Sequence, residues 1–200
     1  FYFVSLSMSL IVIIIYCLFA IVMRVAFIYR LTGSYGIENA KTSIKPNLYY
    51  IICLYIGFYG MIFLAILDFF NILKPQLYIH VNSVFIALLL ALIGLGVTIS
   101  GQHQMGKSWR VIVAKSEHTK LITHGLFKYS RNPIYLGTLI LFFSTVILFP
   151  HVLMLICFLF AYLSIELLVR FDEEPHLKKV HGIEYENFCE KVYRLFSKIF

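Results

Sequence analysis

LITHGLFKYSRNPIYLG, residues 121–137, lies between long apolar blocks and is denser in chemistry than any other stretch of the chain. It carries a glycine turn at His124 and Gly125, aromatics at alternate positions (Phe127, Tyr129), two cations (Lys128, Arg131) and an Asn-Pro step. Pro133 has no backbone donor and a fixed φ, so it favours the first turn of a helix. Its ring also pushes Asn132 out of the helical region, where an Asn side chain can cap. A helix therefore begins here. Its free N–H groups and positive dipole end sit at a membrane surface, where an anionic or carboxylate-bearing ligand can dock.

Outward from this stretch the chain is too apolar for a soluble domain. Of its 200 residues, 60% are hydrophobic and 14% charged, with a mean hydropathy of +0.86, which places it among multi-pass membrane proteins. Residues 1 to 23 hold no charge and suffice to cross a hydrocarbon core of about 30 Å. They are too long for a secretory signal and lack its basic start and small-residue cleavage site, so they read as a retained span. A polar connection with Gly33, Ser34 and Gly36 follows, then a second span from Leu48 to Phe70, with Asp68 expected as an exposed carboxylate near its end.

A third span covers Val81 to Ser100, where Gly94 and Gly96 read first as positions of close helix approach. Gly101 to Asn132 is the largest loop. Its Lys107, Trp109, Arg110, Lys115, Lys120, Lys128 and Arg131 suit a segment lying along the interface and anchored to anionic lipid. Ile134–Phe149 and Val152–Arg170 are separated only by Pro150 and His151, which implies a tight antiparallel hairpin. The tail from Phe171 spaces Leu177, Val180, Ile183, Phe188, Val192 and Leu195 as helical turns folded back on the membrane.

The expected fold is all-α: a multi-pass helical membrane protein with five transmembrane helices, the last two a tight hairpin, and a cytoplasmic C-terminal cofactor-binding region. Residues 1–200 form one membrane domain, with three spans in 1–100 and the chemical half in 101–200. Lys and Arg number four in the first loop, one (Lys74) in the second, six in the third, none in the hairpin turn and six from Arg170 onward, which accounts for all 17. Five spans put sixteen of these on one side, so the N-terminus is expected outside and the site facing the cytoplasm. The membrane is the inner membrane of a prokaryote or the endoplasmic reticulum of a eukaryote.

Cys17, Cys53, Cys157 and Cys189 form no CxxC pair, and the first three read as buried hydrophobes. The seven histidines show no zinc spacing, so no metal is expected. No nucleic-acid partner is expected.

The pattern R-N-P-x-Y-x-G after an L-x-x-x-G-x-F turn is followed by E-E-x-x-L, G-x-x-Y and V-x-R. Its pieces are Leu121, Gly125, Phe127, Arg131, Pro133, Tyr135, Gly137, Glu173, Glu174, Leu177, Gly182, Tyr185, Val192 and Arg194. The ordered set resembles the integral membrane methyltransferases of the isoprenylcysteine carboxyl methyltransferase and phospholipid methyltransferase superfamily. The resemblance covers roughly the C-terminal half. It implies S-adenosylmethionine as cofactor, with contacts from Lys120, Leu121, Ile122, Phe127, Asn132, Pro133, Ile134, Tyr135 and Glu173. It also lends Gly94 and Gly96 a smaller, cofactor-side alternative. Asn132 stands where the family usually has His, Phe127 where it has Tyr, and Tyr193 where it has Pro. The family's substrate arginine commonly sits one residue earlier, at Val169.

The residues supply the rest of the reading. No G-x-G-x-x-G follows a strand, and no soluble segment is long enough for a Rossmann domain; the resemblance implies instead that the third loop and the tail wrap S-adenosylmethionine against the membrane face. A sulfonium calls for carboxylates and aromatic faces. Glu166, Arg170, Glu173 and Glu174 share one face if the last span continues as helix, and spacing leaves open a catalytic set or ordinary i,i+4 ion pairs. Methyl transfer to a carboxylate needs in-line placement and a cation to hold the acceptor, for which Arg170 is the candidate. An amine acceptor needs a base, and Glu166 or Glu174 would serve.

The first functional reading is therefore S-adenosylmethionine-dependent methyl transfer to a lipophilic or lipidated acceptor, a prenylcysteine-like carboxylate, with membrane lipid as the other partner. Alternatives are a phospholipid amine methyltransferase and an NADPH-dependent enzyme like the sterol reductases, whose C-terminal halves are similar but whose chains are longer. A non-catalytic scaffold would leave the Glu, Arg, Tyr and Asn-Pro set without a purpose.

Overall fold

A computed structural model of the chain describes residues 8–32, 48–77, 80–106 and 120–195. The first seven residues, the connection at 33–47 and the interfacial residues Lys107, Trp109, Arg110 and Lys115 lie outside the described residues. Among the described residues the regular elements are all helical, with no strand. Four helices are long and apolar enough to cross a membrane: α1 Met8–Phe27, α2 Leu48–Phe69, α3 Val81–Met105 and α5 Val152–His181. Where the sequence suggested another full span, α4 Pro133–Leu148 has 16 residues, about 24 Å of helix against a core of about 30 Å. A short α6, Ile183–Lys191, completes the order.

Two helices run past their expected ends. α3 continues beyond Ser100 to Met105 because its polar end is used: Gln102 Nε2 donates to the Ala20 carbonyl at 2.8 Å, and Gly106, at φ +54°, stops the helix. α5 continues from its apolar run through a wide π turn, Val169–Glu173, to His181. Pro175 offers no N–H, and its ring crowds the carbonyl four residues back, at Phe171. The i→i+5 turn absorbs that conflict without ending the helix.

Small residues decide which helices pair. A Cβ at Gly137 would lie 2.6 Å from the Gly94 carbonyl oxygen and 2.7 Å from the Thr98 nitrogen, so α3 and α4 touch backbone to backbone. Gly96 meets nothing within 4 Å, so the pair splits into a packing glycine and a free one. α2 meets α5 through Gly57 against Ala161 and Gly60 against Cys157. The break at 149–151 is as short as expected, yet α4 packs most extensively on α3, and α5 on α2. α1 joins the two pairs: the Tyr16 ring stands edge-on to Phe142 at 5.4 Å, and its hydroxyl shares a hydrogen bond with Thr138 Oγ1 at 3.0 Å.

The core between these helices is closed by Ile13, Met61, Ala65, Ala87, Leu141, Leu148 and Met154, all buried. On the outside, Phe85, Leu89 and Leu92 form an exposed stripe at helical spacing, the side that hydrocarbon rather than water solvates. Asp68 departs from expectation. It is buried and accepts a hydrogen bond from Ser9 Oγ at 3.2 Å, because α1 covers the end of α2 where the sequence suggested open interface. Cys53 is buried and Cys17 and Cys157 are half-buried, all as free thiols.

The bundle has two chemically distinct ends. At one, the α2–α3 link docks on the α4–α5 link, with Gln76 N donating to the Pro150 carbonyl at 3.0 Å and Val152 N to Gln76 Oε1 at 2.9 Å. At the other, Arg24 Nη2 donates to the Gly106 carbonyl at 2.6 Å, and the 121–137 stretch meets the tail.

Candidate active site

Gly125 adopts φ +62°, a conformation that favours glycine, and a Cβ there would overlap the Gln104 side chain. Gln104 Oε1 accepts the Leu126 N–H at 2.8 Å, which ties the turn to the end of α3. The 3-10 turn Gly125–Lys128 then buries Phe127 against Tyr185, Phe188 and Val192, with Leu121, Ile122 and Leu177 packed around them. Tyr129 and Lys120 are exposed. The tail residues Phe188 and Val192 thus cover this turn as well as following the helical spacing read for a membrane surface, whereas Ile183 is exposed.

The Asn-Pro step works differently from a cap. Asn132 is the N-cap residue of α4 but makes no side-chain cap bond. Its Nδ2 donates to the Arg194 carbonyl at 3.2 Å, and Ser130 Oγ donates to the same oxygen at 3.2 Å. Arg131 N donates to the Tyr193 carbonyl at 3.0 Å and Asn132 N to that of Arg194 at 3.2 Å. Segment 130–132 is laced to 193–194, and this lacing delivers the Arg194 side chain to the acidic end of α5.

There Arg194 grips Glu174 with two prongs, Nε to Oε1 at 3.0 Å and Nη2 to Oε2 at 2.9 Å, while Nη1 pairs with Glu166. Arg131 Nη1 adds a second ion pair to Glu174 at 2.9 Å and donates to Cys189 Sγ at 2.7 Å. Glu174 raises the Arg194 pKa above its ordinary value through hydrogen bonding and charge, and burial raises that of the Tyr185 phenol beside Arg131. Eight residues of α-helix overshoot two turns by about 80°. The wider π turn takes up much of that excess, so Glu166 and Glu174 reach one guanidinium. Arg170 is exposed and makes no ion pair among the described residues. The structure therefore joins Glu166 and Glu174 through Arg194, and neither through Arg170.

The neighbouring carboxylates face elsewhere. Tyr135 Oη donates to Glu173 Oε1 at 2.5 Å. Tyr50, from α2, lies within electrostatic reach of Asp172 and Glu173, and Tyr16 and Tyr50 both lie within reach of Tyr135. Asp172 Oδ2 is buried and has no hydrogen-bond partner. Among the described residues no cation pairs with Asp172 or Glu173. Of the three consecutive acids at 172–174, Glu174 is paired with two cations, while Asp172 and Glu173 have none among the described residues.

A sequence profile described as phospholipid methyltransferase matches residues 82–184, from the start of α3 through this acidic run. The chain belongs to the phospholipid methyltransferase family. Its superfamily of integral membrane methyltransferases includes the isoprenylcysteine carboxyl methyltransferases. No curated protein matches the chain.

In this membrane methyltransferase the sequence-assigned cofactor positions fall into two groups. Leu121, Ile122 and Phe127 share the aromatic cluster, while Tyr135 and Glu173 share a hydrogen bond. The stretch Asn132, Pro133, Ile134 connects the groups, with Pro133 buried and the other two half-buried. Lys120 lies at the exposed edge. Arg131, Asp172, Tyr50 and the side chain of Arg194 were not assigned roles. Arg131 and Arg194 stood in the recognised motifs, and Asp172 adjoined the Glu pair, so those three carried a signal. Tyr50 carried none, because α2 lies outside the motif-bearing half and only folding brings it to the site. Among the described residues, no group of three or more His, Cys, Asp or Glu is placed to hold a metal.

Proposed function

We propose that this methyltransferase uses S-adenosylmethionine to methylate the amine of a membrane phospholipid headgroup. The observation that carries the reading is the split among the charges. Arg131 and Arg194 are both consumed by Glu174 and Glu166, leaving neither to hold an anionic acceptor. Asp172 and Glu173 have no cation opposite among the described residues. A carboxylate removed from water is costly unless paired, so the site is built to receive positive charge. The matched family, described as phospholipid methyltransferase, supports the same acceptor class.

The residues present fit the cofactor. Asp172 Oδ2 is an orphaned buried acceptor beside Glu173, suited to a sulfonium or an ammonium, and Leu121, Ile122 and Phe127 offer an apolar wall suited to an adenine. Lys120, Asn132, Pro133, Ile134 and Tyr135 complete the assigned contacts. When bound, S-adenosylmethionine supplies an activated methyl group. Glu173, oriented by Tyr135, faces the positive charge of the donor. Asp172 holds the amine and takes at Oδ2 the proton that a methylated amine must shed before another round. Glu166 and Glu174, first considered as bases, are committed to Arg194 and Arg131, and a carboxylate in an ion pair is a poor proton acceptor. Their proposed role is to fix the π turn that presents Asp172 and Glu173.

A second reading, transfer to a prenylcysteine-like carboxylate, is favoured by one feature: Arg170, at the end of the apolar run of α5, is exposed and makes no ion pair among the described residues. In either reading the acceptor is lipophilic. The excess of Lys and Arg at the end holding the site favours a cytoplasmic orientation.

The test is methyl transfer from labelled S-adenosylmethionine, by the purified chain in detergent, to phosphatidylethanolamine, prenylcysteine and water-soluble amines, with NADPH binding measured in parallel. Phosphatidylethanolamine is the expected acceptor. Preference for prenylcysteine would shift the assignment to Arg170. Binding of NADPH without S-adenosylmethionine would replace methyl transfer by reduction.

A further inference from the structure

A second polar cleft lies on the tail, along α6. It has a volume of about 490 Å³ and is lined by Thr123, Lys128, Glu184, Asn187, Lys191 and the Phe188–Val192 floor. Glu184, Asn187, Phe188 and Lys191 recur at offsets of three, four and seven, so they form one face of α6, and the Thr123–Lys128 turn supplies the opposing wall. Neither lysine forms an ion pair among the described residues, not even with Glu184. Two ammonium groups, an amide and a hydroxyl therefore line the cleft above an apolar floor, with Glu184 as the one carboxylate in the lining and paired to neither lysine among the described residues.

We propose that this cleft binds the phosphate of a membrane phospholipid, held by Lys128 and Lys191, as a site separate from the acceptor pocket. Lipid is favoured over a soluble phosphate by the surroundings. The chain has four helices of membrane-crossing length, and residues adjacent to the cleft lining, Tyr129, Ile183 and Tyr193, are 65%, 75% and 52% exposed, as side chains that enter the headgroup region would be. The floor residues Phe188 and Val192 also pack against Phe127, and Val192 directly precedes the 193–194 segment laced to Asn132. A lipid seated here would brace the tail that delivers Arg194.

The probe is dihexanoylphosphatidylglycerol, which has a phosphate but no amine and so does not address Asp172 and Glu173. Binding to the full chain in neutral detergent is measured against dihexanoylglycerol and inorganic phosphate. Saturable binding of the phospholipid is expected, weakened roughly tenfold by Lys128→Gln with Lys191→Gln, unchanged by Lys179→Gln on the exposed face of α5, and tightened by Glu184→Gln, which removes a like charge. Equal binding of dihexanoylglycerol, or unchanged affinity in the double variant, overturns the site. Inorganic phosphate matching the lipid would overturn the lipid assignment. Because no methyl transfer is measured, these outcomes are independent of the acceptor identity proposed above.

Discussion

Arg194 and Glu174 form a two-pronged ion pair, at 3.0 and 2.9 Å, across a sequence separation of twenty residues. The pair closes the tail over the end of α5, and Glu166 and Arg131 extend it into a network of two cations and two anions. Both partners are mostly buried, with 24% and 14% of their side chains exposed. Arg194→Ala is therefore expected to destabilise the protein by about 1–3 kcal/mol, between the values typical of exposed and of buried pairs. Arg194→Lys should recover only part of that, because an ammonium cannot reproduce the fork. A double-mutant cycle with Glu174→Gln, read by thermal unfolding in detergent, should give a coupling above about 0.5 kcal/mol. Strict additivity would remove the pair from the account.

Glu173 and Tyr135 make the complementary prediction. If Glu173 faces a sulfonium, Glu173→Gln should weaken S-adenosylmethionine binding by roughly tenfold to a hundredfold, the worth of one charge-assisted contact of about 1.5–3 kcal/mol. Tyr135→Phe leaves the charge and removes only its orienting hydrogen bond, so a smaller loss is expected. Calorimetric titration of the folded variants distinguishes the two. Equal affinity in Glu173→Gln would make this carboxylate a structural group.

How much of this was legible in the sequence depends on whether the cause was local. Gly125, the start at Pro133 and the apolar runs follow from rules that act within a few residues, and they were readable. Asn132 had the right residue type for a cap, but two backbone carbonyls more than sixty residues away, at Tyr193 and Arg194, won the donors of this step. Spacing grouped Glu166, Arg170, Glu173 and Glu174 on one face, and of these Glu166 and Glu174 meet at Arg194. The cation between them could not be chosen, because helical spacing proposes Arg170 and knows nothing of a π turn or of a returning tail. Asp68 was misjudged for the same reason: a position near a helix end reads as wet unless one knows that α1 covers it.

The glycines of α3 test the packing argument. Gly94→Ala or Gly137→Ala places a methyl carbon within 2.6 Å of a facing carbonyl oxygen, and backbone on both sides leaves little room to yield. Each should lower the thermal midpoint, with a cost of about 1–3 kcal/mol or more. Gly96→Ala meets open space and should be neutral or slightly stabilising, since alanine favours helix. A destabilising Gly96→Ala alongside a harmless Gly94→Ala would mean that α3 is rotated from the arrangement described.

Orientation can be checked at two exposed lysines at opposite ends of the bundle. Cysteines at Lys179 and Lys74 should react with an impermeant thiol reagent from the cytoplasmic and the outer side respectively, after subtracting the labelling of the parent chain. The reverse pattern in intact cells would invert the topology.

The acceptor can be decided by two substitutions with opposite expectations. If an amine is methylated, its positive charge and its proton are met by Asp172, whose Oδ2 is buried and without a hydrogen-bond partner. Asp172→Asn keeps the shape and removes both the charge and the base, so turnover with phosphatidylethanolamine should fall by a factor of about a hundred or more. Arg170→Ala should matter little, because an exposed cation has no part in holding a cation. If a carboxylate is methylated, the order reverses: an uncompensated Asp172 would repel the acceptor, so Asp172→Asn should be tolerated or favourable, while Arg170→Ala should damage turnover far more than cofactor binding. Running both variants against phosphatidylethanolamine and prenylcysteine gives four rates. Only the amine reading predicts that Asp172→Asn is the damaging change and phosphatidylethanolamine the substrate it affects.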